Sequence, residues 1–221
     1  ALAVAAKAGI DVIVTDHHQI SPPYPDALAV INPQRDDCAS GLEDLAGVGV
    51  AFCLLVGLRR HLRNQGFWRT GAGPNLKNYL DLVALGTIAD MVPMRSDNRI
   101  LTHAGLGVIN RSPRPGIQAL VAAAGLRSNP VTAEDIAFRL APRINAAGRM
   151  EHARIAAEML ITQSPRTATE RAATLNALNS RRQETELAIL EEIETRLSVS
   201  PTEPADDKKA LVLAGEGWHA G

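Results

Sequence analysis

The sequence predicts an α/β protein: a mostly parallel sheet with many helices, followed by one long helix and the opening of a second α/β unit. Three observations carry this expectation. Val12, Ile13 and Val14 form a β-branched run that stops at Asp16, His17 and His18, the pattern of a strand buried on both faces with polar chemistry at its carboxyl end. A second short apolar run, Ala27 to Ile31, closes at Asn32-Pro33, as a neighbouring strand entering a turn does. Most of the remaining chain repeats its apolar residues at helical spacing.

Taken in order, residues 1–8 read as the body of a helix stopped by Gly9. Ser21 to Pro25 is a rigid extended loop, because its three prolines forbid helix. From Leu45 a nearly continuous apolar stretch turns basic at Arg59, Arg60, His61 and Arg63, a buried helix emerging into solvent at its carboxyl end. Gly47-Val48-Gly49 is not a dinucleotide fingerprint. Phe52 takes the third glycine position and no strand clearly precedes it, so the two glycines are read as allowing close backbone packing. Asn75 caps a helix with Leu76, Tyr79, Leu80 and Val83 on one face, and Asp97 and Asn98 read as cap residues for the helix around 100–109. Thr132 to Asp135 has the spacing of a capping box. Residues 165–197 form the longest helical pattern, on the order of 50 Å, suited to bridging two domains. Ser198 to Lys209 is polar and Pro-containing, a linker. Three units follow: a first domain over 1–163, a connecting helix over 164–198, and a linker with the first strand of a truncated second domain over 199–221. Both ends look cut.

Composition excludes several classes. With 221 residues and 46% hydrophobic content the chain can bury a substantial core. Its net charge of −1 leaves no global basic signature, so any nucleic-acid contact must come from local clusters. Cys38 and Cys53 fit no zinc spacing and are read as packing residues in a reducing compartment. No apolar run reaches the length of a membrane span and no signal peptide is evident, which points to the cytoplasm.

Three stretches carry chemistry. Asp16, His17 and His18 place a carboxylate and two imidazoles within three residues, a density suited to metal ligation or phosphate chemistry and otherwise a solvated loop. Asp90 lies among Ile88, Ala89, Met91 and Val92, and a carboxylate so enclosed needs a partner; alone it is equally an Asp capping a turn. In Ala141 to Met150, Arg143, Asn145 and Arg149 accompany Pro142 and Gly148 in what reads as a small-residue loop able to approach a phosphate, or as a turn with solvated arginines.

The stretches TDHH, LAGVGVAF, DLVALGTIADMVP and APRINAAGRM, the long helix and the terminal WHAG occur together and in order. In that combination the chain resembles the bacterial single-strand-specific exonucleases of the DHH phosphoesterase superfamily. The resemblance implies a DHH-type first domain and a DHHA1-type second one. It implies two divalent ions, manganese preferred or magnesium, with His17 and Asp90 as ligands, Asp16 orienting the site and His18 over the scissile phosphate. Arg149, Asn145 and Arg143 would grip nucleic-acid phosphates, with His219 joining from the second domain. Two divalent ions about 4 Å apart can clamp a phosphodiester for in-line displacement. The other ligands of that superfamily come from an Asp-x-Asp and an Asp-Asn-Gly element, and neither occurs in these 221 residues; the expectation is therefore an incomplete site that is inactive by itself.

The activity implied is 5′-to-3′ hydrolysis of single-stranded DNA in recombination and repair, by a monomer working with a single-strand-binding protein and a helicase, away from membranes. Two other readings stay open: a pyrophosphate or small-nucleotide phosphohydrolase of the same superfamily, and a non-catalytic DNA-binding scaffold.

Overall fold

Ile13–Thr15 (β1) pairs in parallel with Ala29–Ile31 (β2), Ile13 opposite Ala29 and Thr15 opposite Ile31. In the computed structural model, which describes residues 1–69, 71, 73–111, 113–126, 130–199, 212–215 and 218, these are the only strands among the described residues. The protein is thus a helix-rich α/β fold with a small parallel sheet. Before the sheet comes α1 (Leu2–Lys7), after which Gly9 turns the chain at φ 68°, as its composition predicts. β1 is not buried on both faces. Val14 is half-buried, but Ile13 is 55% exposed, because no described element lies over that side.

The next helix, α2 (Gly47–Asn64), begins beside the sheet. Only Gly49 and Val50 are buried, and Leu54, Leu55, Val56 and Leu58 are exposed. The buried helix expected here is therefore half-covered: it rests on β1 and on the following helix, and its far flank meets nothing described. Cys38 and Cys53 correct their assignment in the same way. Both are free thiols at the surface, lining a depression of about 510 Å³ between β2 and α2 rather than a core.

Asn75 accepts a hydrogen bond from Lys77 N–H and opens a short 3-10 turn, Leu76–Tyr79, that continues into α3 (Leu80–Ala89). α3 is apolar apart from Asp81 and Thr87, and Asp81, Val83, Ala84, Leu85, Thr87 and Ile88 are all buried. It packs along α4 (Ser96–Arg111) so closely that a Cβ on Gly105 would lie 2.1 Å from the Leu80 carbonyl oxygen. Asn98 is not an ordinary cap: it lies inside α4, 1% exposed, and its amide donates to the carbonyls of Asp44 (2.6 Å) and Pro93 (3.0 Å), binding the segments before α2 and α4 together.

α5 (Pro115–Ala123) starts with Pro115 in its first turn, where the missing N–H costs nothing. Just before it, Arg114 forks onto the buried Asp81 with bonds of 2.6 and 2.8 Å and donates to the Asn78 carbonyl. The capping box is present: Thr132 Oγ accepts from Asp135 N–H at 3.1 Å, and an Asp135 carboxylate oxygen accepts from Thr132 N–H at 3.0 Å. It opens α6 (Ala133–Asp135), which runs through a π-helical turn, Ile136–Leu140, into α7 (Ala141–Met150). The loop expected over Ala141 to Met150 is therefore a helix. Pro142 would clash with the i−4 carbonyl of a regular α-helix, and the wider turn immediately before it makes room.

α8 (Arg154–Ile161) and the first half of α9 (Pro165–Val199) close the core, where Met159, Ala172, Leu175 and Leu178 meet Ile117, Leu120, Ile136 and Leu140. Beyond Asn179 the α9 stripe leaves this core, and Leu187 and Leu190 are exposed. Near its end Arg196 donates to the Ala214 carbonyl at 2.8 Å, and Trp218 Nε1 donates to Glu192 at 2.9 Å. Residues 212–215 pair with no strand among the described residues, and the 200–209 part of the expected linker and His219 lie outside those residues. No described helix is long and apolar enough to cross a membrane.

Candidate metal centre

β1 hands the chain to the site at Asp16, whose N–H gives the last ladder bond to the Ile31 carbonyl at 3.0 Å. The strand ends there because Asp16 turns its carboxylate back on the chain. One oxygen accepts from the N–H of His17 (2.7 Å), the N–H of His18 (3.2 Å) and His18 Nδ1 (2.7 Å). Partial burial pushes the Asp16 carboxyl upward, but the His18 ring and the two backbone N–H groups outweigh it and leave it below the ordinary range.

With Asp16 so engaged, the two imidazoles diverge in role. Their centroids are 4.3 Å apart with the rings tilted by 45°. His18 is held at Nδ1 and its side chain is 76% exposed, which leaves Nε2 facing solvent. His17 is 18% exposed and turns inward, its Nε2 lying 3.3 Å from Asp90 Oδ2. Donor atoms of Asp16, His17 and His18 also fall within 4.8 Å of one another, but the Asp16 oxygen is occupied by the loop, so His17 and Asp90 are the better-placed pair.

Asp90 caps the carboxyl end of α3, and the chain reverses just beyond it through Met91 at φ 56°. The apolar enclosure expected around Asp90 is not there: its side chain is 39% exposed and Met91 is 88% exposed. Of its four apolar neighbours only Ala89 lines the same cavity, and the partner comes from the turn after β1. His17 and Asp90 line one cavity of about 390 Å³ together with Asn145 of α7 and the first residues of α2, Gly47 and Val48. Gly47 lies close against the ring: a Cβ there would sit 3.3 Å from His17 Cδ2, so the imidazole would have to give way slightly.

The donor set fits a divalent ion. An imidazole nitrogen and a carboxylate oxygen each about 2.1 Å from one ion, at right angles, lie about 3 Å apart, close to the 3.3 Å found. α2 starts at Ala46 without a side-chain cap, so its first N–H groups and the positive end of its dipole lie at the same cavity, favourable to negative charge.

The arginine candidates separate. Arg149 is exposed near the end of α7, on the helix that brings Asn145 to the cavity. Arg143 instead holds α7 to α9, donating from Nε to the Asn176 side chain at 2.9 Å, and burial lowers its guanidinium from the ordinary value. Asn32, which the sequence does not single out, lies behind the histidine turn. It is 3% exposed, and its amide donates to the His18 carbonyl at 2.9 Å; the Asn-Pro pair after a strand signalled only a turn.

Residues 1–87 match the DHH family, N-terminal domain. That match covers β1, β2, α2 and most of α3. Beyond that DHH segment, similarity extends along the whole chain. It is 42% identical over 230 aligned positions to the single-stranded-DNA-specific exonuclease RecJ of Salmonella typhimurium, an alignment covering 100% of this chain and 39% of that protein. The crystal structure of an exonuclease RecJ bound to manganese superposes with a TM-score of 0.74 at 36% identity, covering 88% of this chain and 47% of that one. The RecJ of Thermus thermophilus in complex with Mn2+ gives a TM-score of 0.74 at 37% identity, over 86% of this chain and 27% of that one. The chain therefore spans less than half the length of the relatives it matches.

Proposed function

We propose that this chain supplies part of the catalytic domain of a divalent-metal-dependent exonuclease that hydrolyses single-stranded DNA from the 5′ end. The observation that carries the reading is the His17–Asp90 pair, 3.3 Å apart at a cavity that Asn145 also lines. The RecJ relatives are single-stranded-DNA-specific exonucleases, and two of their structures hold manganese.

His17 and Asp90 would hold a divalent ion, manganese in preference to magnesium because imidazole suits transition ions. Such an ion, when bound, polarises a phosphoryl oxygen and lowers the pKa of water. The chain's own groups do the rest. Asp16 fixes the His18 ring through Nδ1 and leaves Nε2 free to meet a phosphate oxygen. The uncapped start of α2 offers N–H groups and a positive dipole end to the phosphate. Asn145 and the exposed Arg149 on α7 reach for the neighbouring phosphates, Arg149 with a planar fork. In the same reading the exposed half of α9 connects this domain to a second one, to which His219 belongs, and the protein works in the cytoplasm as a monomer alongside a single-strand-binding protein and a helicase.

The test uses a protein that carries these 221 residues at the full length of its relatives. Manganese-dependent release of nucleotides from 5′-labelled single-stranded DNA, lost in His17→Ala with DNA binding kept within a few fold, supports the reading. Unchanged release overturns it.

A further inference from the structure

We propose that Asn32 is a positioning residue for the metal centre: its side chain fixes the backbone of the His17–His18 turn and so sets the affinity for a divalent ion. This rests on the reading of His17 as a ligand. The need arises because the sheet stops too early. The Asp16 N–H bond to Ile31 is the last between β1 and β2, and from there the chain carrying both histidines has no ladder to hold it.

Asn32 follows β2 directly and replaces that ladder with a side chain. Its amide nitrogen donates to the His18 carbonyl at 2.9 Å, and its Oδ1 accepts from Gln34 N–H at 2.9 Å. The second bond closes a turn around Pro33, whose ring fixes φ, so the Asn32 rotamer is itself locked. Gln34 continues the connection, donating from its side chain to the Glu43 carbonyl at 2.6 Å, in the segment that leads into α2. The start of α2 then meets His17 from the other side at Gly47. The histidine turn is thus held from behind by Asn32 and limited in front by α2.

This arrangement lies outside the main buried cluster, which runs from Ala84 to Leu178; the nearest buried apolar residues, Leu45, Ala46 and Val50, belong to the start of α2 and the segment before it. Removing the Asn32 amide therefore loosens the site and leaves the core intact, a separation that an ordinary structural role would not give. Groups that orient metal ligands from outside typically change metal affinity by about 10- to 100-fold.

The experiment compares wild type with Asn32→Asp and Asn32→Leu, in a protein that carries these 221 residues at the full length of its relatives, by amide hydrogen exchange and by titration with Mn2+ alone. Asn32→Asp keeps the acceptor for Gln34 N–H and replaces the donor to His18 by a carboxylate oxygen facing the His18 carbonyl, so it breaks that bond and carries the test if Asn32→Leu does not fold. The expected result is exchange at Asp16, His17 and His18 faster by about tenfold or more, exchange in α4 and in the buried half of α9 unchanged, and Mn2+ bound roughly 10- to 100-fold more weakly. Unchanged exchange in the histidine turn, acceleration spread evenly through α4 and α9, or Mn2+ affinity equal to wild type with a loosened turn overturns the proposal. His17→Ala binding Mn2+ as tightly as wild type, or a wild type that binds none, overturns the metal reading instead; Asn32 as the clamp of the turn is then decided by exchange alone.

Discussion

His17 Nε2 lies 3.3 Å from Asp90 Oδ2, although one residue lies in the turn after a strand and the other caps a helix. The pair exists because α2 packs on both elements, with Gly47 against His17 and Val48 against α3. Two donors of the kinds that divalent ions accept are brought together by packing, not by sequence proximity.

Gly47→Ala is expected to separate stability from metal binding. Gly47 is the first residue of α2, where Ala is no worse than Gly because it restricts the unfolded chain, so thermal stability holds. The new Cβ would lie 3.3 Å from His17 Cδ2 and push the ring, so Mn2+ affinity falls. Calorimetric titration beside a melting curve checks both signs; a variant that binds Mn2+ as well as wild type contradicts the assigned contact.

Arg149→Ala is expected to lower DNA affinity and to flatten its salt dependence by about 0.7 in the slope of log K against log salt, the value for one phosphate contact to a single strand. Arg143→Ala behaves differently, costing stability first, because its guanidinium is spent on Asn176. Binding measured across a salt series distinguishes them, and an unaltered slope for Arg149→Ala returns that residue to a solvated surface role.

Asp81→Ala leaves the Arg114 guanidinium without its carboxylate partner in a place where the two side chains are 17% and 2% exposed. Breaking a buried pair from one side costs about 3–5 kcal/mol. Urea unfolding should show a loss of that size; a loss below about 1 kcal/mol would place the pair among surface bridges.

Thr132→Ala removes the box that opens α6, at a cost of about 1 kcal/mol near neutral pH. The Thr132 backbone N–H and then its hydroxyl hold the Asp135 carboxyl below its ordinary value, with Arg139 adding to them against a small burial effect. A carboxylate depressed on folding stabilises fully above the ordinary carboxylate range, and that contribution disappears as pH falls through the depressed value. The difference between wild type and Thr132→Ala should therefore narrow in acid. A gap that is constant from neutral pH down to acid unfolding contradicts the box.

The sequence reading succeeded where local chemistry decides structure. The β-branched run before Asp16, the Thr132 box and the long pattern of α9 each become the element they predict, because propensity, cap and spacing agree within a few residues. It failed where a partner distant in sequence decides. The exposure of α2 depends on what covers it, which apolar content does not record. Pro142 and the small residues around it read as a loop, yet the π turn before them lets the helix pass. Asp90 was singled out for an apolar surrounding that it does not have, and its true reason for notice is His17. Asn32 offered only a turn signal, since a buried clamp and a surface turn use the same Asn-Pro pair.

The most direct test of the central claim is manganese-dependent digestion of 5′-labelled single-stranded DNA by the Asp90→Ala variant of a protein carrying these residues at the relatives' full length, with DNA binding measured in parallel. The expected result is digestion abolished and binding held within a few fold. Digestion at the wild-type rate would show that the carboxylate 3.3 Å from His17 holds no catalytic ion.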